Sequence, residues 1–158
     1  VKEHETDLMY SMLKKRGYPG YLYMIDNGAT ATWEHWDGSR SRIHNCYNGI
    51  GSWFYEAPGG LRTDENFPAW KRLVINPRIP AGITWANTTK ETPYGTVKVN
   101  WKLEKEILEI SVKIPAGCTA AVAIPENTKS FILNGRSIKT DEPFVELESG
   151  EYFLRFRQ

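Results

Sequence analysis

The sequence predicts a two-part α+β chain, in which a helical part over residues 1–78 precedes an antiparallel β-sandwich over residues 79–158. Before residue 80, apolar residues recur at helical spacing and the helical runs are joined by glycine-rich segments. After residue 80, apolar and polar residues alternate with period two, and turn residues separate the alternating runs. Several short alternating strands in succession are typical of a sandwich.

Three helices are predicted in the first part. The first has an apolar face within residues 8–13 and is followed by Gly17, a residue type common just after a helix. We place a second helix at residues 28–36 and a third at residues 45–57, where Pro58 ends the pattern. Because three short aromatic helices do not make an obvious closed bundle, we expect this part to be the end of a larger helical domain.

About eight strands are predicted, most of them in the second part. Asn134-Gly135 lies between two short apolar runs and is the strongest short-range signal for a β-hairpin. The predicted strands lie near residues 73–76, 83–89, 97–103, 108–114, 119–124, 131–133, 137–138, 143–147 and 152–156.

The charge and hydropathy of the chain exclude several classes of partner. Lys plus Arg is 20 and Asp plus Glu is 19, so the formal net charge is +1, which gives no electrostatic basis for binding nucleic acid or an anionic membrane. No apolar run approaches the roughly 20 residues of a membrane-spanning helix. The first ten residues lack the apolar segment of a signal peptide. We expect neither nucleic acid nor a membrane as partner.

The sequence predicts neither a metal site nor a catalytic nucleophile. The three histidines and two cysteines lack the spacing of a metal site, so we expect no metal and no cofactor. Cys46 lies two positions after His44, and on a helix the two side chains would point to different faces. We therefore expect Cys46 to be a small buried residue.

Aromatic residues are enriched to 13%, with six Trp and eight Tyr, and four of the six Trp lie in the first half of the chain. Glu34 lies between Trp33 and Trp36, which would share one face of a helix. Apolar surroundings raise the pKa of a carboxyl group, and glycoside hydrolases adjust their acid and base carboxylates in this way. Tryptophans also stack on sugar rings. On spacing alone, an amphipathic helix with an exposed Glu34 is the favoured interpretation. Asp26 and Asp37, nearby, are expected to be cap or turn residues.

At these residues the sequence resembles the C-terminal part of bacterial α-L-rhamnosidases of glycoside hydrolase family 78. The resemblance covers nearly the whole chain and is strongest over residues 17–101. Single pieces are weak signals, whereas their ordered combination is specific. The motifs are, in chain order, Gly17-Tyr18-Pro19, Gly28-Ala29-Thr30, Trp33-Glu34, Trp36-Asp37-Gly38, the segment from His44 to Tyr55, Pro68-Ala69-Trp70 and Thr92-Pro93-Tyr94-Gly95.

The resemblance implies a fold and an activity. Residues 1–78 would be the last helices of an (α/α)6 catalytic barrel, and residues 79–158 the C-terminal sandwich. The family hydrolyses terminal α-L-rhamnose from glycosides or polysaccharides with inversion, using one acid and one base carboxylate. The implied partners are an L-rhamnose-containing glycoside and the missing N-terminal part of the same polypeptide. The resemblance slightly favours a periplasmic or extracellular location.

The resemblance also implies roles for four residues. The general base of the family falls on Glu34, and its substrate-contacting histidine falls on His44, which would hydrogen-bond a rhamnose hydroxyl. Trp33 and Trp36 would either shape the wall of the pocket or belong to the barrel core. The general acid of the family lies earlier in the barrel and nothing in this chain corresponds to it, so we expect the isolated chain to be inactive.

Two other functions stay open. The sandwich would serve as a carbohydrate-binding module if Trp85, Tyr94 and Trp101 formed an exposed platform, although the alternating apolar row around Trp101 indicates a core position. Alternatively, the helical part would belong to another (α/α)6 glycosidase or to a phosphorylase, for which Arg40 and Arg42 are available near the tryptophans.

Overall fold

The computed structural model describes residues 3–157, with side chains from residue 5 onward. These residues divide into two compact units. The helical unit comprises the described residues up to Phe54 together with Ile79–Ala81, and the β unit comprises Tyr55–Arg78 and the residues from Gly82 onward. None of the helices in the described part is long and apolar enough to cross a membrane.

The helical unit is built around α1 (Glu3–Leu13), α2 (Tyr21–Asp26) and the start of α3 (Ile50–Glu56). The first and third predicted helices are confirmed as α1 and α3, the latter shorter than predicted, whereas α2 was not predicted. The Asp7 carboxylate in α1 accepts the backbone N–H of Ala81 at 2.7 Å, which ties the 79–81 segment to this unit.

The predicted helix over residues 28–36 is wrong. Gly28 ends the α2 region with φ of +85°, a left-handed conformation that glycine adopts without strain. The backbone beyond it bonds across a loop instead of to the preceding turn: the Glu34 N–H donates to the Ser41 carbonyl, and the His44 N–H to the Thr32 carbonyl, both at 2.8 Å. We call this segment the 32–44 loop.

The β unit contains two sheets, built from ten strands within the described residues. The strands are β1 (Leu61–Thr63), β2 (Arg72–Ile75), β3 (Trp85–Thr92), β4 (Gly95–Glu104), β5 (Ile107–Ile114), β6 (Thr119–Ala123), β7 (Ser130–Leu133), β8 (Arg136–Lys139), β9 (Phe144–Leu147) and β10 (Gly150–Arg157). The four-stranded sheet has the order β1-β2-β6-β9, and the six-stranded sheet has the order β3-β4-β5-β10-β7-β8. Every neighbouring pair is antiparallel except β2 and β6.

The strand predictions agree closely with these sheets. Each predicted strand is present, and the predicted hairpin joins β7 to β8, with Asn134 at φ of +48° and Gly135 at +79°. Only β1 was not predicted, because three residues are too few to show alternation.

The β unit begins well before residue 79, at which the sequence placed the start of the sandwich. Val74 of β2 pairs with Arg62 of β1 on one side and with Ala121 of β6 on the other. A boundary after residue 78 would separate β1 and β2 from the sheet whose backbone hydrogen bonds they share. The compact unit accordingly starts at Tyr55.

The buried positions of β4 and β5 follow the predicted alternation. Val97, Val99 and Trp101 of β4 are each at most 3% exposed, and the β5 residues that pair with Val99 and Trp101 are buried as well. The Trp101 indole N–H donates to the Pro58 carbonyl oxygen at 2.6 Å. The core position that the alternating row indicated for Trp101 is confirmed, and Trp85, Tyr94 and Trp101 do not form one exposed platform.

Candidate functional site

The base of the 32–44 loop is closed by contacts between Thr32 and His44. The His44 N–H donates to the Thr32 carbonyl at 2.8 Å, and the Thr32 hydroxyl donates to the His44 carbonyl. The same hydroxyl lies 2.8 Å from Oδ1 of Asn48, in the turn that precedes α3. This closure brings the two ends of the loop together, with His44 at one end and Glu34 two positions beyond the other.

Cys46 joins the two ends of this loop. Its backbone N–H donates to Nδ1 of His44 at 3.2 Å. Its thiol lies 3.7 Å from the carbonyl oxygen of Trp33 and 3.8 Å from that of Glu34. The expectation of a buried Cys46 is wrong, since the residue is exposed. It lies in a turn before α3 begins at Ile50, and not on a packed helical face.

The contact with Cys46 determines which nitrogen of His44 is free to donate. Because Nδ1 accepts a backbone N–H, a neutral His44 carries its proton on Nε2. The side chain is half-buried. His44 therefore offers one hydrogen-bond donor, Nε2–H, to a group outside the loop.

Glu34 is held to the opposite side of the loop by Ser41. The Glu34 backbone N–H donates to the Ser41 carbonyl, and one carboxylate oxygen, Oε2, accepts the Ser41 N–H at 3.3 Å. The other carboxylate oxygen has no hydrogen-bond partner among the residues that the structure describes. The half-buried carboxylate thus keeps one oxygen with which to accept a proton or a hydrogen bond.

Trp33 and Trp36 do not share a face, because the segment is not helical. Trp33 is only 3% exposed and packs under Gly38, whose φ is +70°. The Arg42 guanidinium carbon lies 5.2 Å from the Trp33 ring centre, and its Nε donates to the Gly38 carbonyl at 3.4 Å. Trp33 therefore fills the interior of the loop, and Arg42 packs against its ring.

Trp36 instead belongs to an aromatic cluster with Tyr21 and Tyr47. The Trp36 and Tyr47 rings stack at 4.3 Å between centroids, and Tyr21 meets Trp36 edge-on at 5.3 Å. The Tyr21 hydroxyl donates to the Tyr47 carbonyl at 3.1 Å. Burial raises the pKa of Tyr21, and nearby Tyr47 and Cys46 raise it further, so Tyr21 stays a neutral donor.

A depression of about 490 Å³ lies at the closed base of the loop. His44 is the only sequence-predicted site residue among its lining residues; Glu34, Trp33 and Trp36 do not line it. Sequence reasoning missed the other lining residues, since short polar residues in an irregular loop give no periodic signal. They are Ala31, Thr32, Ile43, Asn45 and Asn48.

Asp37 shapes the loop, as its predicted turn role implies. Its Oδ1 accepts the Ser39 N–H at 2.9 Å. Hydrogen bonds from the Ser39 side chain and backbone hold the pKa of the Asp37 carboxyl below its usual range. Across the described side chains, no group of three or more His, Cys, Asp or Glu residues is arranged to hold a metal ion.

Two family models match successive parts of the chain. Residues 1–57 match the bacterial alpha-L-rhamnosidase 6 hairpin glycosidase domain, and residues 60–139 match the bacterial alpha-L-rhamnosidase C-terminal domain. These matches meet where the helical unit gives way to the β unit.

Similar proteins carry the same name. An alpha-L-rhamnosidase of Formosa agariphila is 34% identical over 153 residues, covering 85% of this chain and 16% of the relative. An alpha-L-rhamnosidase of Alteromonas sp. (strain LOR) is 30% identical over 158 residues, covering 93% of this chain and 17% of the relative. The chain thus spans about a sixth of the length of the curated relatives it matches.

The fold is also that of a solved rhamnosidase. The crystal structure of the Streptomyces avermitilis alpha-L-rhamnosidase complexed with L-rhamnose superposes with a TM-score of 0.81 at 25% identity, covering 94% of this chain and 16% of that one. The mostly antiparallel sheets with few helices match this structure. The resemblance read from the sequence is confirmed: the chain belongs to the bacterial α-L-rhamnosidase family.

Proposed function

We propose that this chain is the C-terminal portion of a longer, inverting α-L-rhamnosidase. In this proposal the helical unit completes an (α/α)6 catalytic barrel and the β unit is the C-terminal sandwich. We place the boundary between them near residue 57 and not after residue 78, because β1 and β2 pair within the four-stranded sheet. The two family models divide near the same position.

The closure of the 32–44 loop is the main support for the catalytic part of this proposal. Thr32 and Cys46 bind the backbone and the ring of His44, while Cys46 also contacts the Glu34 carbonyl oxygen. A base and a substrate-binding donor must be held in fixed positions to act on one sugar. The loop holds both residues by short-range contacts that do not require a ligand.

Glu34 acts as the general base in this proposal. Its unpartnered carboxylate oxygen takes a proton from a water molecule as that water attacks the anomeric carbon. The bond from the anomeric carbon to the glycosidic oxygen breaks, and a separate acid gives that oxygen its proton. The resemblance puts this acid outside the present chain, so the isolated chain is proposed to be inactive.

His44 and the aromatic residues bind the sugar in this proposal. The Nε2–H of His44 donates to a hydroxyl of an L-rhamnose-containing glycoside, the substrate class named for the relatives. In the complete barrel, Trp36, stacked on Tyr47, forms a wall of the sugar pocket outside the depression that His44 lines, and the buried Trp33 supports the loop from inside.

The test compares two proteins on an aryl α-L-rhamnoside: the full-length protein that contains this chain, and the chain of 158 residues alone. Proton NMR of the first-formed sugar reports the stereochemistry. We expect turnover with release of β-L-rhamnose from the full-length protein only. Turnover by the isolated chain, first release of the α-anomer, or a folded but inactive full-length protein would each contradict the proposal.

A further inference from the structure

The outward face of the six-stranded sheet carries two exposed aromatic residues that the catalytic proposal does not use. Trp85 on β3 is 61% exposed and Phe153 on β10 is 43% exposed. Both belong to the β unit. Since β4 and β5 lie between β3 and β10, the strands that carry the two residues are three strand spacings, or roughly 14 Å, apart.

The floor between these aromatic residues is polar. Asn87, Asn100 and Ser111 are direct cross-strand neighbours, and Phe153 continues the same row. We call Asn87, Asn100 and Ser111 the amide row. A depression of about 310 Å³ is lined by the amide row and by both aromatic residues. Trp85 lies two residues before Asn87 on β3, and therefore on the same face of the sheet, where it pairs with Lys102 of β4.

The polar groups of the amide row are available to a ligand. None of these three side chains makes a hydrogen bond to another residue in the described part of the chain. Each asparagine amide offers two N–H donors and one carbonyl acceptor, and the serine hydroxyl offers both functions. Mixed donors and acceptors suit a ligand that carries many hydroxyl groups.

The two charged residues that line the depression, Lys102 and Glu109, are each paired with an opposite charge. Lys102 lies 2.5 Å from the Glu104 carboxylate, and Arg155 lies 3.5 Å from that of Glu109. The hydrogen bond and charge of Glu104 raise the pKa of Lys102. Because these cations are already paired with carboxylates, the surface favours a neutral ligand over an anionic one.

We propose that this surface binds a neutral glycan chain, with Trp85 and Phe153 stacking on the apolar faces of sugar rings and the amide row bonding to hydroxyls. Two aromatic residues separated by unpaired amides differ from the contiguous apolar patch of a protein interface. Trp101 also lines the depression but is only 3% exposed, and Tyr94 does not line it, so Trp85 and Phe153 are its two exposed aromatic residues. The proposal uses no residue of the helical unit and goes beyond the catalytic function.

Affinity electrophoresis of the 158-residue chain tests this proposal. The gels contain a soluble neutral rhamnan, xylan or β-glucan, with polygalacturonate as the anionic comparison. We expect at least one neutral polysaccharide to retard the chain, and Trp85→Ala or Phe153→Ala to weaken binding about tenfold or more. Phe144→Ala is the matched control, since this phenylalanine on β9 is 40% exposed in the other sheet.

Asn100→Ala, which removes no aromatic surface, should also weaken binding, and thermal unfolding verifies that each variant is folded. Lack of retardation by every neutral polysaccharide, retardation by polygalacturonate alone, or binding that survives all three substitutions would overturn the proposal. So would Trp85-dependent self-association without glycan binding, measured by sedimentation. Because no turnover is measured, these outcomes are independent of the catalytic proposal.

Discussion

The backbone N–H of Cys46 lies 3.2 Å from Nδ1 of His44 and donates a hydrogen bond to it. This contact between residues two positions apart orients the imidazole ring of His44 and leaves Nε2 as its other nitrogen. The same cysteine contacts the Trp33 and Glu34 carbonyl oxygens, so one residue links both sides of the candidate site.

We expect neutral His44 to populate the tautomer with its proton on Nε2, because Nδ1 is occupied as an acceptor. Long-range ¹H–¹⁵N correlation spectra of the isolated chain distinguish the tautomers, and His44→Gln assigns the signal. His35, whose Nδ1 lies 3.3 Å from the Ser39 hydroxyl, is the internal comparison, since that contact permits either tautomer. A His44 signal from the Nδ1–H tautomer would show that the turn does not orient the ring as described.

Gly38→Ala should destabilise the helical unit more than Gly28→Ala. Both glycines have positive φ, at +70° and +85°, so each substitution costs about 1–2 kcal/mol from backbone strain. A Cβ at Gly38 would also lie 2.9 Å from the Trp33 ring, whereas a Cβ at Gly28 meets nothing within 4 Å. We expect a further loss of about 1–3 kcal/mol from overpacking, measured by chemical unfolding. Equal losses in the two variants would refute the packing of Trp33 under Gly38.

Trp101→Phe should lower the free energy of unfolding of the β unit by about 1–3 kcal/mol, because the buried Pro58 carbonyl loses its donor. Trp85→Phe, on the neighbouring strand but 61% exposed, should change it by no more than about 0.5 kcal/mol. Denaturant titration of both variants makes the comparison. A smaller effect at Trp101 than at Trp85 would contradict the assignment of the sheet faces.

The two cysteines should differ in reactivity toward a thiol reagent. Cys46 is exposed and should react in a fast phase that Cys46→Ser removes. Cys118 is buried, and burial raises the pKa of its thiol, so it should react only on unfolding. The raised pKa of folded Cys118 contributes stability below the ordinary thiol pKa, and this contribution is lost as pH rises through the folded value. Two equally fast thiols in the native chain would be inconsistent with the structure.

The strands could be predicted from the sequence because their determinants are local. Alternation in β4 and β5 reports burial directly, and Asn134-Gly135 specifies the tight turn between β7 and β8. The assignment of β1 and β2 to a sheet depends on β6, about fifty residues later, and no local pattern contains that pairing.

The candidate site was predicted by its residue types but not by its conformation. The helical spacing of Trp33 and Trp36 was misleading. Backbone hydrogen bonds in the 32–44 loop join Glu34 to Ser41 and His44 to Thr32, and do not form helical turns. The separation of a buried Trp33 from a stacked Trp36 follows from that loop. Thr32 and Cys46, which hold His44, have no sequence signature of their own, because any small polar residue satisfies the same pattern.

The most direct test of the catalytic account is the turnover number of the full-length protein carrying Glu34→Gln, beside Asp37→Asn as a control. Asp37 is an exposed carboxylate three positions away that accepts hydrogen bonds from the side chain and backbone of Ser39. If Glu34 is the general base, Glu34→Gln lowers kcat by about 10²–10⁴-fold with folding intact, while Asp37→Asn stays near the wild-type value. A folded Glu34→Gln protein that retained wild-type kcat would contradict the account.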